Sequence, residues 1–464
     1  MKTICVWILF VIPFNVFSQT LAQKINLKYQ TFASLNNLKN ASFSMSVLNT
    51  QTGKIVFAAN QNMGLLPAST LKTLTSATAL QLLGSNFTFK TQVAFTGEIV
   101  NHTLNGNLLI TGNGDPTLGS NRWDKTSKST ILKTILQAVT AAGIKNINGK
   151  IIANDIVWDT QSLPDGWLWQ DMGNYYGAQT SALCWGENMF EINVLPGKII
   201  KSPVNIKNNL AYPFLIIENE VVTGQAQSGD NVFGYSAPYS NTIYLRGTYD
   251  INLKKKIGLS LPDPAYALAY DVHTYLAQNN ITVTNFTTSR LLSLDFQNPA
   301  KAVNIVTITS PPLSQIIYQL NQNSINLYAE QIIRTLALQK NKKALMPDGL
   351  NIVKTYGQTL KIEPEALHIY DGSGLSPANR VSTLAMAMVL CQAHNSPWFT
   401  EFYKSLPIHN NMVMKSGLIA DVLAYAGYQK NTEGDLCFSV MVNNFSGSES
   451  VMRQQIYVLL NALK

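Results

Sequence analysis

Apolar and polar residues alternate along "SFSMSVLNTQTGKIVFAAN" (residues 42–60), on both sides of a turn at Gly53. A period of two predicts a β-hairpin. The period then lengthens. "PASTLKTLTSATAL" (67–80) opens like a helix, with Ser69 suited to cap it, and carries Leu71, Leu74, Ala77, Ala79 and Leu80, as a buried helix does. A β-rich stretch follows, "TQVAFTGEIV", then Asn105-Gly106, then "NLLITGNGDPTL". Asn-Gly between alternating apolar residues predicts a hairpin turn. Helical spacing returns over residues 129–142 and ends at Gly143, and a further Asn-Gly turn at Asn148-Gly149 leads into the strand "KIIANDIVWD". Residues 193–249 show short strands, prolines and glycines, and residues 263–280 are helical again.

After Pro312 the pattern is helical over "LSQIIYQLNQNSINLYAEQIIRTLALQ", broken by polar residues at 321–326. Two helices with an irregular joint are expected there. A helix over 382–393, strands over 413–428 and 436–443, and an amphipathic helix over 451–463 complete the chain. Helices and strands thus bracket a β-rich middle, which predicts one α/β domain interrupted by an insertion.

The first residues, "MKTICVWILFVIPFNVFSQ", place one lysine before an apolar run, with Val16 and Ser18 meeting a small-residue cleavage rule and Ala22 offering a second site. They read as a secretory signal peptide over 1–18, hence as export to an extracytoplasmic, periplasmic-type compartment. A retained anchor helix is the alternative. No later segment is long and apolar enough to span a bilayer, so at most peripheral membrane association is expected.

Composition changes little except by exclusion. Charged residues are 13% of the chain, about half the usual share of roughly 25%. The formal net charge is +8, with basic residues scattered, so no nucleic-acid partner is expected. Cys184, Cys391 and Cys437 are far apart and odd in number once Cys5 leaves with the signal, which is no disulfide framework. Without CxxC, HxxxH or HExxH spacing there is no metal site to expect either.

Candidate chemistry begins at Ser69 and Lys72. Three residues apart on a helix, they share a face. They are either a cap with a snorkelling lysine or a nucleophile with its base. Ser324 and Asn326 sit at the joint between two predicted helices, where both side chains can face one cleft; a polar turn is the plainer reading. Lys415-Ser416-Gly417 lies in a strand-like run, where a lysine and a hydroxyl suit a carboxylate, or where an edge lysine merely protects a strand.

Ser-x-x-Lys, Ser-x-Asn and Lys-[Ser/Thr]-Gly, in that order, are the motifs of penicillin-binding proteins and serine β-lactamases. The interval from Ser69 to Ser324 is far longer than that from Ser324 to Lys415, too long for a β-lactamase. The chain resembles the class C low-molecular-mass penicillin-binding proteins, the D-alanyl-D-alanine carboxypeptidase/endopeptidases of peptidase family S13. "GNGDPTL", "GWLWQDMGNYYGAQTSAL", "NSINLYAEQIIRTL" and "YDGSGLSPANRVS" extend the likeness over nearly the whole mature chain. Two departures stand out: Ser416 replaces the usual threonine, and Pro377 follows "GSGLS" where many relatives have arginine.

The resemblance implies an α/β (α+β) transpeptidase or serine β-lactamase-like domain, over residues 19–97 and 298–464. It is interrupted by an inserted domain II (98–197 and 250–297) and a β-rich domain III (198–249). It implies an enzyme without cofactor that acts on peptidoglycan stem peptides and cross-links and is inhibited by β-lactams, with a homo-oligomer conceivable. Ser69 is then the nucleophile, Lys72 its base, Ser324 a proton relay, and Asn326 a clamp on Lys72 and the substrate amide. Lys415 and Ser416 hold the terminal carboxylate, and Gly417 lets substrate lie along the strand. Ser69 and Leu418 supply oxyanion-hole N–H groups, and Asp171 binds the free amine of a diamino acid or merely caps a turn. Two other functions compete: a silent peptidoglycan- or β-lactam-binding module, and an esterase or β-lactamase on the same fold.

Overall fold

The computed structural model describes residues 19–207, 212–292, 301–341 and 343–464. The predicted signal peptide lies outside them. Among the described residues no helix is long and apolar enough to cross a membrane.

The predicted hairpin forms, Ser42–Asn49 antiparallel to Ile55–Ala59. It ends a six-stranded sheet whose order runs Ile408–His409, Met412–Ile419, Val422–Gln429, Leu436–Asn443, Ser42–Asn49, Ile55–Ala59. Leu436–Asn443 is buried at every position because both faces of the sheet are covered. Phe438, Val440 and Val442 join a core with Ile25 and Ile456 from helices Leu21–Ala33 and Glu449–Leu460. Cys437 and Met441 face the opposite layer, with Leu74, Ala387 and Leu390 from helices Lys72–Leu83 and Thr383–His394.

The helix Lys72–Leu83 is buried on all sides from Lys72 to Leu80. It starts later than the sequence suggests. Ser69 is not its cap: residues Ala68–Leu71 form a 3-10 turn, and no side chain caps either segment. The predicted joint between helices is present, with Leu313–Gln322 ending before Asn326–Asn341 and Ser324 between them at φ +55°.

The insertion holds a seven-stranded sheet, in which Lys90–Phe95 pairs with Leu108–Gly112 and with Val303–Thr309. Lys90–Phe95 and Val303–Thr309 lie outside the expected boundaries at 97 and 298, and both pair within this sheet. Two turn expectations are corrected. Asn105-Gly106 does not close a hairpin; the tight turn is at Asn101-His102, both at positive φ, joining Glu98–Val100 to Thr103–Asn105. Asn148-Gly149 is not a turn but a bulge inside Asn146–Asn154, where the register jumps from Ile147 to Lys150 opposite Val283 and Asn285. A four-stranded sheet, Ile216–Asn219, Val222–Gly224, Asp230–Tyr235 and Thr242–Asp250, and a three-stranded one containing Met189–Leu195 complete the insertion.

One helix, Asn326–Asn341, latches the insertion to the catalytic layer. Gln331 Nε2 donates to the carbonyls of Gly114 and Ser181, at 2.9 and 2.8 Å. Buried Arg334 donates to the carbonyls of Ala344 and Gln161 and pairs with Asp159. Its Asn326 and Glu330 reach the candidate site.

Candidate active site

Lys72 opens the buried helix and is wholly inaccessible to solvent. A cation there must be hydrogen-bonded or lose its proton. Its Nζ lies 2.9 Å from Ser69 Oγ, 2.6 Å from Asn326 Oδ1 and 2.8 Å from the Ser373 carbonyl oxygen. Asn326 Nδ2 donates to the Tyr176 carbonyl at 2.8 Å, which fixes the amide with its oxygen towards Lys72. Two of the three partners of Nζ can only accept; the third, a hydroxyl, can also donate. A neutral amine fits this arrangement, with its two N–H bonds on Asn326 and Ser373 and its lone pair on the Ser69 hydroxyl. Burial, and then the positive charge of Lys415, push the Lys72 amine well below the usual lysine range, while Asp371 and Glu330 pull it back up.

Ser69 is half-buried at one end of a cleft of about 640 Å³, walled by Ser324, Asn326, Tyr176, Asp171, Pro377 and Leu418 among others. Ala68, just before Ser69, is held at φ +44°. Left-handed backbone at a non-glycine residue costs roughly 1–3 kcal/mol and is kept only where its surroundings enforce it. The Ser373-Gly374 loop does so. A Cβ on Gly374 would stand 1.9 Å from the Ala68 carbonyl oxygen.

Lys415, Ser416 and Gly417 lie on the strand Met412–Ile419, beyond whose short pairing with Ile408–His409 one edge is open. Lys415 is buried, its Nζ donates to the Ser416 carbonyl at 2.7 Å, and burial lowers its pKa to about 7. Gly417 packs on the Ser69 turn: a Cβ there would sit 2.9 Å from Ser69 N and 2.6 Å from the Pro67 carbonyl oxygen. Gly417→Ala must therefore push the strand off Ser69. We expect acylation by a β-lactam, followed by stopped flow, to slow about 100-fold, the cost of roughly an ångström of misplacement. The melting temperature changes by only a few degrees.

Asp171 lies in the short helix Trp169–Met172, and its carboxyl is raised by burial, with Tyr176 opposing. The "YDGSG" stretch supplies the Ser373 carbonyl. Its Asp371 accepts from Gly374 N, Ser376 N, Asn379 Nδ2 and Trp167 Nε1.

Sequence reasoning missed Glu330. It is fully buried one helical turn beyond Asn326, and its two oxygens accept from Gly372 N at 2.9 Å and Ser373 N at 2.8 Å. Burial and the nearby Asp371 push its carboxyl up to about 8. An acid within an otherwise apolar helical repeat, four residues after a candidate site residue, was the available signal. Cys184, Cys391 and Cys437 are free thiols. Among the described residues no His, Cys, Asp and Glu side chains cluster as a metal site.

Known proteins match this architecture. The profile of the D-Ala-D-Ala carboxypeptidase 3 (S13) family matches residues 25–411, ending just before Lys415. The D-alanyl-D-alanine carboxypeptidase of Actinomadura sp. (strain R39) is 27% identical over 438 residues, covering 88% of this chain and 79% of that protein. The D-alanyl-D-alanine carboxypeptidase DacB of Haemophilus influenzae is 26% identical over 433 residues, covering 86% and 84%. The crystal structure of penicillin-binding protein 4 (dacB) from H. influenzae superposes with a TM-score of 0.79 at 22% identity, over 95% of this chain and 99% of that one. It shares the mixed α/β fold.

Proposed function

The chain belongs to the D-Ala-D-Ala carboxypeptidase family S13 and is a serine peptidase of that family, and from that premise we propose how its residues divide the work. The contact that carries the reading is Lys72 Nζ 2.9 Å from Ser69 Oγ, with two obligate acceptors on its other side. Ser69 Oγ attacks the carbonyl of a D-Ala-D-Ala amide while neutral Lys72 takes its proton. The N–H groups of Ser69 and Leu418 hold the oxyanion, a contribution of about 3 kcal/mol for each such donor. Ser324 passes a proton to the departing amine. Water enters, Lys72 again acts as base, and the acyl-enzyme is hydrolysed. Asn326 positions Lys72. Lys415 exchanges its bond to the Ser416 carbonyl for the terminal carboxylate of the substrate, with the Ser416 hydroxyl beside it, and Asp171 faces a free amine on the peptide. Action on peptidoglycan stem peptides and cross-links, and acylation by β-lactams, follow from the same chemistry, and the signal-like residues 1–18 support export. An acyl-Lys-D-Ala-D-Ala tripeptide incubated with the mature protein should release D-Ala, and Ser69→Ala should release none. Release by both would remove Ser69 from the mechanism.

The Lys415 role carries a signed pH dependence. Its pKa near 7 means the cation is lost as pH rises through 7, and a carboxylate ligand binds the cation. Affinity for a non-hydrolysed peptide ending in a free carboxylate should fall up to about tenfold per pH unit above 7, while its C-terminal amide shows no such trend. Parallel profiles for acid and amide would assign the carboxylate to another group.

A further inference from the structure

We propose that the outward face of the four-stranded sheet, with Trp169 and Tyr175, is a binding strip for the glycan strand to which the peptide in the cleft is attached. This deepens the peptidoglycan reading and rests on it.

A solvent-facing sheet surface is ordinarily polar. Here the inward positions are apolar as usual, but the outward ones carry aromatic rings too. In Asp230–Tyr235, Val232 faces inward and Gly234, which has no side chain, is buried beside it, while Phe233 and Tyr235 face outward. Directly across the antiparallel pair, Phe233 stands opposite Arg246 and Tyr235 opposite Tyr244, while Ile243 and Leu245 are buried. Phe233 is 40% exposed and Tyr244 42%. Trp169, 56% exposed, packs on Tyr235 with ring centroids 4.9 Å apart. The Arg246 guanidinium lies 5.5 Å over Tyr235 and 5.9 Å over Tyr244, held there by Glu220 at 2.9 Å.

This strip is continuous with the active site. Trp169 follows Leu168 and precedes Gln170 and Asp171, all three of which line the cleft. Tyr176 lines that cleft and also a second cavity of about 390 Å³, whose walls include Tyr175 and Phe233. Tyr175 packs edge-on against Tyr176. Aromatic rings therefore lead from the mouth of the site, past Tyr176, to the edge strand Asp230–Tyr235, from whose outer face Phe233 and Tyr235 project. Lys255, Lys256, Glu191 and Asp230 border it.

The chemistry points to a polysaccharide. A pyranose ring presents an apolar C–H face, which an aromatic ring desolvates, and a rim of hydroxyl and acetamido groups, which Arg, Glu, Asp and Lys can bond. An extended peptide needs backbone N–H and C=O partners, and these lie at a sheet's edge, not on its face. A peptide bound at Ser69 in peptidoglycan is covalently tied to a glycan, and the aromatic path gives that glycan a place to run.

The test uses peptide-free glycan strands, prepared by amidase digestion of peptidoglycan and coupled to agarose beads, in a sedimentation assay at about 0.5 M salt, where charge attraction is screened. The full mature protein should sediment with the strands. Trp169→Ala/Phe233→Ala, both at exposed positions, should lose at least about tenfold in affinity. Its D-Ala release from a soluble tripeptide and its circular dichroism should match the parent, and its activity on intact peptidoglycan should fall. Equal sedimentation of parent and variant, or none by either, overturns the strip. Loss of tripeptide hydrolysis in the parent would instead strike at the catalytic reading, so the two failures are distinguishable.

Discussion

Lys72→Met should abolish β-lactam acylation, with the second-order rate constant falling by about 10³ or more, while the protein remains folded. A positioned general base is worth roughly 10²–10⁴ in rate, and here the same group also aligns the nucleophile. Methionine fills the lysine stem's space in a helix buried on every side. The variant leaves the Asn326 amide oxygen and the Ser373 carbonyl without their donor, a cost of about 1–3 kcal/mol each, but it also removes the cost of burying an amine. The net change in melting temperature should therefore be small. A companion measurement fixes the sign of the electrostatics. Lys415 helps to depress the Lys72 amine, whereas Asp371 and Glu330 raise it. In the parent the acylation rate falls as acid protonates Lys72. In Lys415→Met the neighbouring cation is gone, the Lys72 pKa rises, and that acid limb should move to higher pH. A limb that moves to lower pH, or a Lys72→Met variant that still acylates at near-parental rate, would take the base role away from Lys72.

Glu330→Ala should lower acylation by about 100-fold through a residue that touches no substrate. Glu330 holds Gly372 N and Ser373 N, and Ser373 in turn gives its carbonyl to Lys72. Removing the carboxyl orphans two buried N–H groups, at about 1–3 kcal/mol each, and frees the loop that orients the base. Glu330→Gln keeps one acceptor and sets an amide N–H₂ against the other donor, so an intermediate loss is expected. The separating readout is the acylation rate of folded protein at saturating ligand. A purely structural Glu330 would lower the melting temperature and leave that rate unchanged.

Much of the candidate site's arrangement was legible because its residues lie in short, ordered motifs on elements with strong periodicity. The buried run after Ser69, the polar break around Ser324 and the alternating strand around Lys415 each identify their element before any coordinate is seen. The geometry brings Lys72 between Ser69 and Asn326, and Lys415 acts on Lys72 by charge alone, its own bond going to Ser416. What stayed hidden came from long-range contact. Glu330 and the Ser373 carbonyl matter only because a loop some distance along the chain folds back onto one helix face. The Asn-Gly errors have a similar cause. Asn105-Gly106 and Asn148-Gly149 have good local turn chemistry, but pairing with strands elsewhere decides that one connects strands of different partners and the other bulges within a strand. The strands Lys90–Phe95 and Val303–Thr309 are far apart in sequence, and only their pairing with each other, and of the first with Leu108–Gly112, joins them in one sheet.

The most direct measurement is the intact mass of the mature protein after incubation with benzylpenicillin, with the adduct located by peptide mapping and Ser69→Ala as control. The account predicts one penicilloyl group per chain, on the peptide bearing Ser69, absent from the variant. An adduct on another residue, or a folded parent that neither gains mass nor hydrolyses the penicillin, would contradict it and leave a binding module in its place.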